Sequence, residues 1–310
     1  MVLLGGTTRL TGSGLSIVDW RPVTGIVPPL STADWEMEFQ KYQTSPEFQK
    51  KNFQLTLAGF QKIYFWEYFH RVWGRLLGFF LVLPALWFWR RLEPWLKKRL
   101  VFIFCLLALQ GFMGWFMVKS GLLDRPEVSH FRLAVHFFLA LWLLSILRWT
   151  EWELASKRKG FWKSFRLPTA VLGFLLLMQL AYGAFLAGTK AGWTFSTFPS
   201  MNGQWFPDGA LALQPFFANF VENGIFIHWW HRVLGTIFLV AVGIAMVKRG
   251  AGFSRLLLLS LVFLQYVLGI TAVVFHIPVS LGVAHQFVAV LVTMALLKVV
   301  FEDGTAQSGI

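Results

Sequence analysis

The sequence predicts an all-α integral membrane protein built from two repeated, pseudo-symmetric helical bundles of the four-helix type. Three observations lead there. Of its 310 residues, 56% are hydrophobic and 14% charged, with a mean hydropathy of +0.59. That is more apolar surface than a soluble domain of this length can hide. Seven apolar runs reach the roughly 20 residues needed to cross about 30 Å of hydrocarbon. A phrase in the first half, "EYFHRVWGRLLG" from Glu67 to Gly78, recurs in the second as "IHWWHRVLGTIF" from Ile227 to Phe238.

Taken in order, the spans are expected at 62–89, 99–118, 130–148, 168–187, 225–247, 254–274 and 280–301. Basic residues concentrate in three connectors, Arg90 to Arg99, Arg148 to Arg166 and Lys248 to Arg255. These are expected inside, with the C-terminus, and the remaining connectors outside. The net charge of +13 is therefore topological, and a nucleic-acid partner is not implied. The single cysteine, Cys105, lies in an apolar run, so no intrachain disulfide can form. "MVLL" at the start is too short for the apolar core of a secretion signal. The stretch Ser31 to Phe69 is amphipathic; Ser31 and Asp34 have capping-box spacing, and one or two short helices on the outer membrane surface are expected.

The two long outer connectors resemble each other. Gly14 matches Gly192, Pro22 matches Pro199 with one gap, and Gly25 matches Gly203. Each connector leads into a helix carrying "HRV.G", which aligns His70 with His231 and Arg71 with Arg232. The chain thus reads as two halves, 1–150 and 151–310, the first with an outer connector at 5–61. The helix at 168–187 has only "MVLL" as its counterpart, so the repeat predicts a first span that the seven do not include.

Four histidines, His70, His136, His231 and His285, fall at similar depth near the outer ends of four different helices. An ionisable side chain in hydrocarbon is costly and marks function. Two per half could supply two bis-histidine axial pairs for haem iron, His70 with His136 and His231 with His285. Interhelical hydrogen bonding or a proton path is the alternative. The high aromatic content, with 16 Trp and 33 Phe, also suits packing around something large and flat.

The halves differ three residues before the first histidine of each pair, where Glu67 stands in one and His228 in the other. A buried carboxylate beside a haem can accept a proton or orient a neighbour, since burial disfavours its charged form; pairing with Arg71 or Arg75 is the structural alternative. Arg71, Arg75, Arg132 and Arg232 are candidates for haem propionates, with snorkelling an equal alternative for Arg75 and Arg132. His130 should face away from His136 at the water boundary, and His276 should lie in a short outer turn.

At these residues the chain resembles the haem A synthase family, in the cysteine-free class shared by proteobacteria and mitochondria. The carriers are "TRLTGSGLSIVDWRP", "PPLSTADWEMEFQKYQTSPEF", "FWEYFHRVWGR", "RLAVHF", "AGTKAGWTFSTFPSMNGQW", "HWWHRVLG" and "AHQFVAVL". The resemblance implies a permanent haem b in the C-terminal half, through His231 and His285 with His228 and Arg232 nearby. It implies haem O as substrate in the N-terminal half, near His70, His136 and Arg71, with Glu67 as the critical carboxylate. Successive hydroxylations of the haem O C8 methyl would give the formyl of haem A. It further implies a bacterial inner-membrane location with haem sites towards the periplasm and the C-terminus cytoplasmic. The implied partners are haem O synthase (the protohaem farnesyltransferase), cytochrome c oxidase assembly factors and an electron acceptor, and a homo-oligomer is compatible. The alternatives are a diheme b-type, quinone-linked electron carrier that leaves its haem unaltered, and a haem-binding chaperone or transporter.

Overall fold

The computed structural model describes residues 1–21, 24–122, 127–156, 166–249 and 252–305. Among them the architecture is helical, with one isolated bridge, Met201 to Gln204, and no strand. A short helix α1 (Val2–Leu10) and a surface helix α2 (Thr32–Gln43) precede seven long ones. These are α3 (Leu57–Phe88), α4 (Pro94–Gly121), α5 (His130–Ser156), α6 (Leu167–Thr189), α7 (Gly224–Arg249), α8 (Phe253–Val274) and α9 (Val279–Thr305). All seven have the length and composition to cross a membrane, so the chain is a multi-pass membrane protein. Pro22 and the parts of two basic connectors at 157–165 and 250–251 lie outside the described residues.

The helix starts follow capping rather than hydropathy. The Thr56 side chain accepts from the Gly59 amide and opens α3 at Leu57, five residues before the expected 62. Pro94 occupies the first turn of α4, where its missing N–H costs nothing.

The chain forms two compact units, Met1–Leu143 and Leu144–Ile310, with the boundary inside α5. In the first unit α1 packs on α3, as do α2 and α4. The α2 N-terminus carries the expected capping box, Ser31 Oγ accepting from the Asp34 amide and Asp34 from the Ser31 amide. Its aromatic face packs on α3. Trp35, Phe39 and Tyr42 pack on the first turns of α3, with Tyr42 stacked on Phe60 at 5.2 Å and Trp35 edge-on to Tyr64 at 5.0 Å. Tyr42 and Phe60 are fully buried. Around them Lys41 bridges Asp19 and Glu38, and Arg21 pairs with Asp19, tying the first long connector to α2. The amphipathic stretch is thus a folded cap.

In the second unit α6, α7, α8 and α9 form a closed ring, each helix touching its chain neighbour and α9 returning to α6. At the connector end the buried Asn219 and Asn223 bond each other and carbonyls of Gly209, Ala210, Leu213 and Phe216. At the opposite end Arg255 pairs with the buried Asp303, whose carbonyl accepts from Arg166. The repeat is visible locally too. Just beyond α1 lies Gly12 (φ 67°) and just beyond α6 Lys190 (φ 57°), and both left-handed residues lie two before the matched Gly14 and Gly192. For lysine that conformation costs roughly 1–2 kcal/mol, which the fold at this connector must offset.

Candidate functional site

Each of the four histidines stands on the second helix of a hairpin: His70 on α3, His136 on α5, His231 on α7 and His285 on α9. The last three lie in the second or third turn from the start of their helices, at positions 130, 224 and 279. His70 sits about two turns further along α3, because the start of that helix belongs to the cap. His70 and His136 lie within electrostatic reach of each other, and His231 is likewise within reach of His285 and His228. Among the described residues no three His, Cys, Asp or Glu side chains converge on one metal position. The arrangement is one of pairs.

Each ring rests on a glycine of the preceding long or short helix. A Cβ placed on Gly114, Gly183 or Gly269 would meet Cε1 of His136, His231 or His285 at 3.2, 3.1 and 3.0 Å. Gly5 plays this part for His70, but there Nε2 is nearest, at 3.3 Å. One turn before three of these glycines is a glutamine. The carboxamide nitrogens of Gln110, Gln179 and Gln265 lie 3.3, 3.4 and 3.1 Å from Nε2 of His136, His231 and His285. In all three pairs the glutamine Oε1 and the histidine Nδ1 are buried without a well-formed hydrogen bond. The signal was present in the sequence as "QGFMG", "QLAYG" and "QYVLG", a Gln-x3-Gly pattern that attention to charged residues passes over.

The two arginines of the repeated phrase make the same contacts. Arg71 donates to the carbonyls of Ile17 (2.9 Å) and Asp19 (3.1 Å), and Arg232 to those of Phe195 (3.2 Å) and Thr197 (2.7 Å). Those acceptors lie three and five residues beyond Gly14 and Gly192 respectively. Both guanidinium groups therefore hold a long connector against its helix.

The position that distinguishes the halves also has a defined surrounding. Glu67, buried, accepts from Ser16 Oγ (2.7 Å) and the Ile17 amide (2.8 Å) at Oε2, and pairs with Arg71 (2.6 Å) at Oε1. The carboxylate and Arg71 together grip both polar groups of the Ile17 backbone. His228, equally buried, packs edge-on to Phe195, the residue matching Ile17, at 6.1 Å. Its ring lies beside the Ala191 backbone, but neither nitrogen makes a well-formed hydrogen bond.

The remaining candidates lie apart. Arg75 donates to the Arg21 carbonyl (2.7 Å), and Arg132 lies over the Phe116 ring at 4.5 Å. His130 opens α5 against Phe131. His276 is exposed, with a positive φ of 59°, in the turn between α8 and α9.

Comparison with known proteins adds the family level. The sequence profile described as cytochrome oxidase assembly protein, COX15-CtaA, matches residues 1–297. A Rhizorhabdus wittichii protein named "Heme A synthase" is 42% identical over 305 residues, covering 96% of this chain and 88% of that one. Proteins of the same name from Nitrosospira multiformis and Neorickettsia sennetsu are 39% and 42% identical. They cover 96% and 93% of this chain and 88% and 90% of their own.

Proposed function

Because the chain belongs to the COX15-CtaA family of cytochrome oxidase assembly proteins, we propose that it is a haem A synthase, an oxidoreductase converting haem O to haem A. The observation that carries this reading is two histidine pairs, one beside a carboxylate and the other beside a third histidine. The substrate half is the first, with His70 and His136 addressing haem O and Glu67 at the reacting side. The second half, with His231 and His285, holds haem b.

The residues suit such groups. Neutral imidazoles are iron ligands, and each half contributes two from separate helices. Repeated buried polar atoms without good partners, in a membrane-spanning bundle, mark a site rather than a core. Haem b, when bound, supplies a one-electron relay. Written with water as the oxygen donor, oxidising the C8 methyl to a formyl takes up one water oxygen and releases the hydrogens lost from the methyl and the water as protons and electrons. Glu67 is the proposed proton acceptor, and its hydrogen-bonded neighbour Ser16 offers a hydroxyl through which a proton can move onwards. Arg71 and the Ile17 amide keep that carboxylate fixed in the helix face carrying His70. Among the described residues Arg232 and His228 have no carboxylate to hold, which fits a half that binds without reacting. The electrons require an acceptor that the reading leaves as a partner, beside haem O synthase and the oxidase assembly factors. The excess of Lys and Arg in the connectors supports a bacterial inner-membrane orientation, with the long connectors periplasmic and the C-terminus cytoplasmic.

The test is the haem content of the purified protein after co-expression with haem O synthase, by pyridine haemochrome spectra and chromatography. Haem b together with haem O or haem A is expected. Glu67→Ala should keep haem b and lose haem A formation. Haem b alone, with no haem A from the unmodified chain, would replace this reading by an electron carrier.

A further inference from the structure

Three of the four histidines sit in one repeated device. In each, the ring's Cε1 edge lies against a glycine of the neighbouring helix, and a glutamine one turn earlier on that helix reaches Nε2. The same atoms meet at the same separations in both units. Hydrophobic packing alone does not reproduce a pairing of named atoms three times, and it does not leave a glutamine oxygen buried without a partner each time.

We infer that Gln110–Gly114, Gln179–Gly183 and Gln265–Gly269 are positioning residues for His136, His231 and His285. The glycine fixes where the imidazole plane lies, and the glutamine places a polar group beside Nε2 of the ring. The inference rests on the haem-ligand reading of those histidines. It also means that the chain is built from four copies of one helix hairpin, glycine on the first helix and histidine on the second, rather than only two copies of a larger unit. The first copy departs from the others: Gly5 faces Nε2 of His70 instead of Cε1, and the residue in register with the glutamines is Met1. His70 therefore has the glycine contact without the glutamine.

The physical reason is distance. At 3.0–3.2 Å any Cβ at Gly114, Gly183 or Gly269 forces the ring to give by a few tenths of an ångström. An axial ligand tolerates little such movement, and neighbours that orient metal-bound histidines typically change affinity about 10–100-fold when altered. Gly173, on the same helix as Gly183, has open space where its Cβ would be. It provides the internal control.

The experiment uses the full chain, purified with its haem, as Gly183→Ala, Gln179→Leu and Gly173→Ala, with His231→Ala alongside. Haem loss to an acceptor globin, the low-temperature EPR signal of the oxidised low-spin haem and its midpoint potential are read together. Gly183→Ala is expected to lose haem b about tenfold faster or more and to shift the EPR signal, while Gly173→Ala matches the unmodified chain. Gln179→Leu is expected to retain haem but to shift both potential and EPR signal. Unchanged EPR, potential and haem loss in either Gly183→Ala or Gln179→Leu would overturn the inference, as would equal effects of Gly173→Ala and Gly183→Ala. Should Gly183→Ala not fold, Gln179→Leu decides alone. Retention of haem b by His231→Ala, in contrast, would overturn the ligand reading beneath it.

Discussion

Arg71 is the residue on which the first unit's connector and helix depend most directly. Its guanidinium joins two connector carbonyls to Glu67, and the Arg71 and Glu67 side chains are only 17% and 4% exposed. Removing one partner of so shielded a pair leaves the other charge uncompensated, at a cost of about 3 kcal/mol. Arg71→Gln should therefore lower the thermal unfolding midpoint markedly, and Glu67→Gln less, since it can still accept from Ser16. The double variant should cost less than the sum of the singles. Additive shifts in a thermal unfolding series would show that the pair does not act as a unit. The sequence showed that an arginine and a glutamate lay one helical turn apart in apolar surroundings. It did not show that backbone carbonyls of the connector complete the arginine's set, because a carbonyl carries no residue identity.

Among the elements, the seven spans were legible from apolar length, and five of their starts fell within one residue of those expected; the starts of α3 and α4 did not. Lys62 in α3 and Lys97, Lys98 and Arg99 in α4 lie inside helices whose first turns project from the apolar run. Hydropathy discounts such residues, whereas the Thr56 cap and Pro94 in the first turn mark the true starts. The α2 box was legible from Ser31 and Asp34, but the partner of the α2 aromatic face was not, because nothing in an amphipathic pattern names the helix that its apolar side meets. Ser31→Ala should cost about 1 kcal/mol of local helix stability, seen as roughly fivefold faster amide exchange in the first turn of α2. Unchanged exchange there would mean that tertiary packing alone holds the helix. The hydrogen bonds from Ser31, side chain and then backbone, hold the Asp34 carboxyl below its ordinary value of 3.8. Its contribution is present above that value and lost as the pH falls through the lowered one. The same exchange measurement, repeated into acid, should show fraying begin at α2 only below the ordinary aspartate range.

For the whole molecule, the duplication was legible from two short phrases, while its extent down to single contacts was not. Gly14 and Gly192 aligned, yet nothing in "SIVD" and "TFST" announces that their backbones are held alike. Because the acceptors are carbonyls, Ile17 and Phe195, or Asp19 and Thr197, need share no side-chain chemistry to receive the same arginine. The latch is blind to the letters it holds. After the duplication, each connector was free to drift in sequence without loosening its attachment, and the neighbouring position could become Glu67 in one copy and His228 in the other. The exchange of a carboxylate for an imidazole at that position required no change in how either connector is fastened.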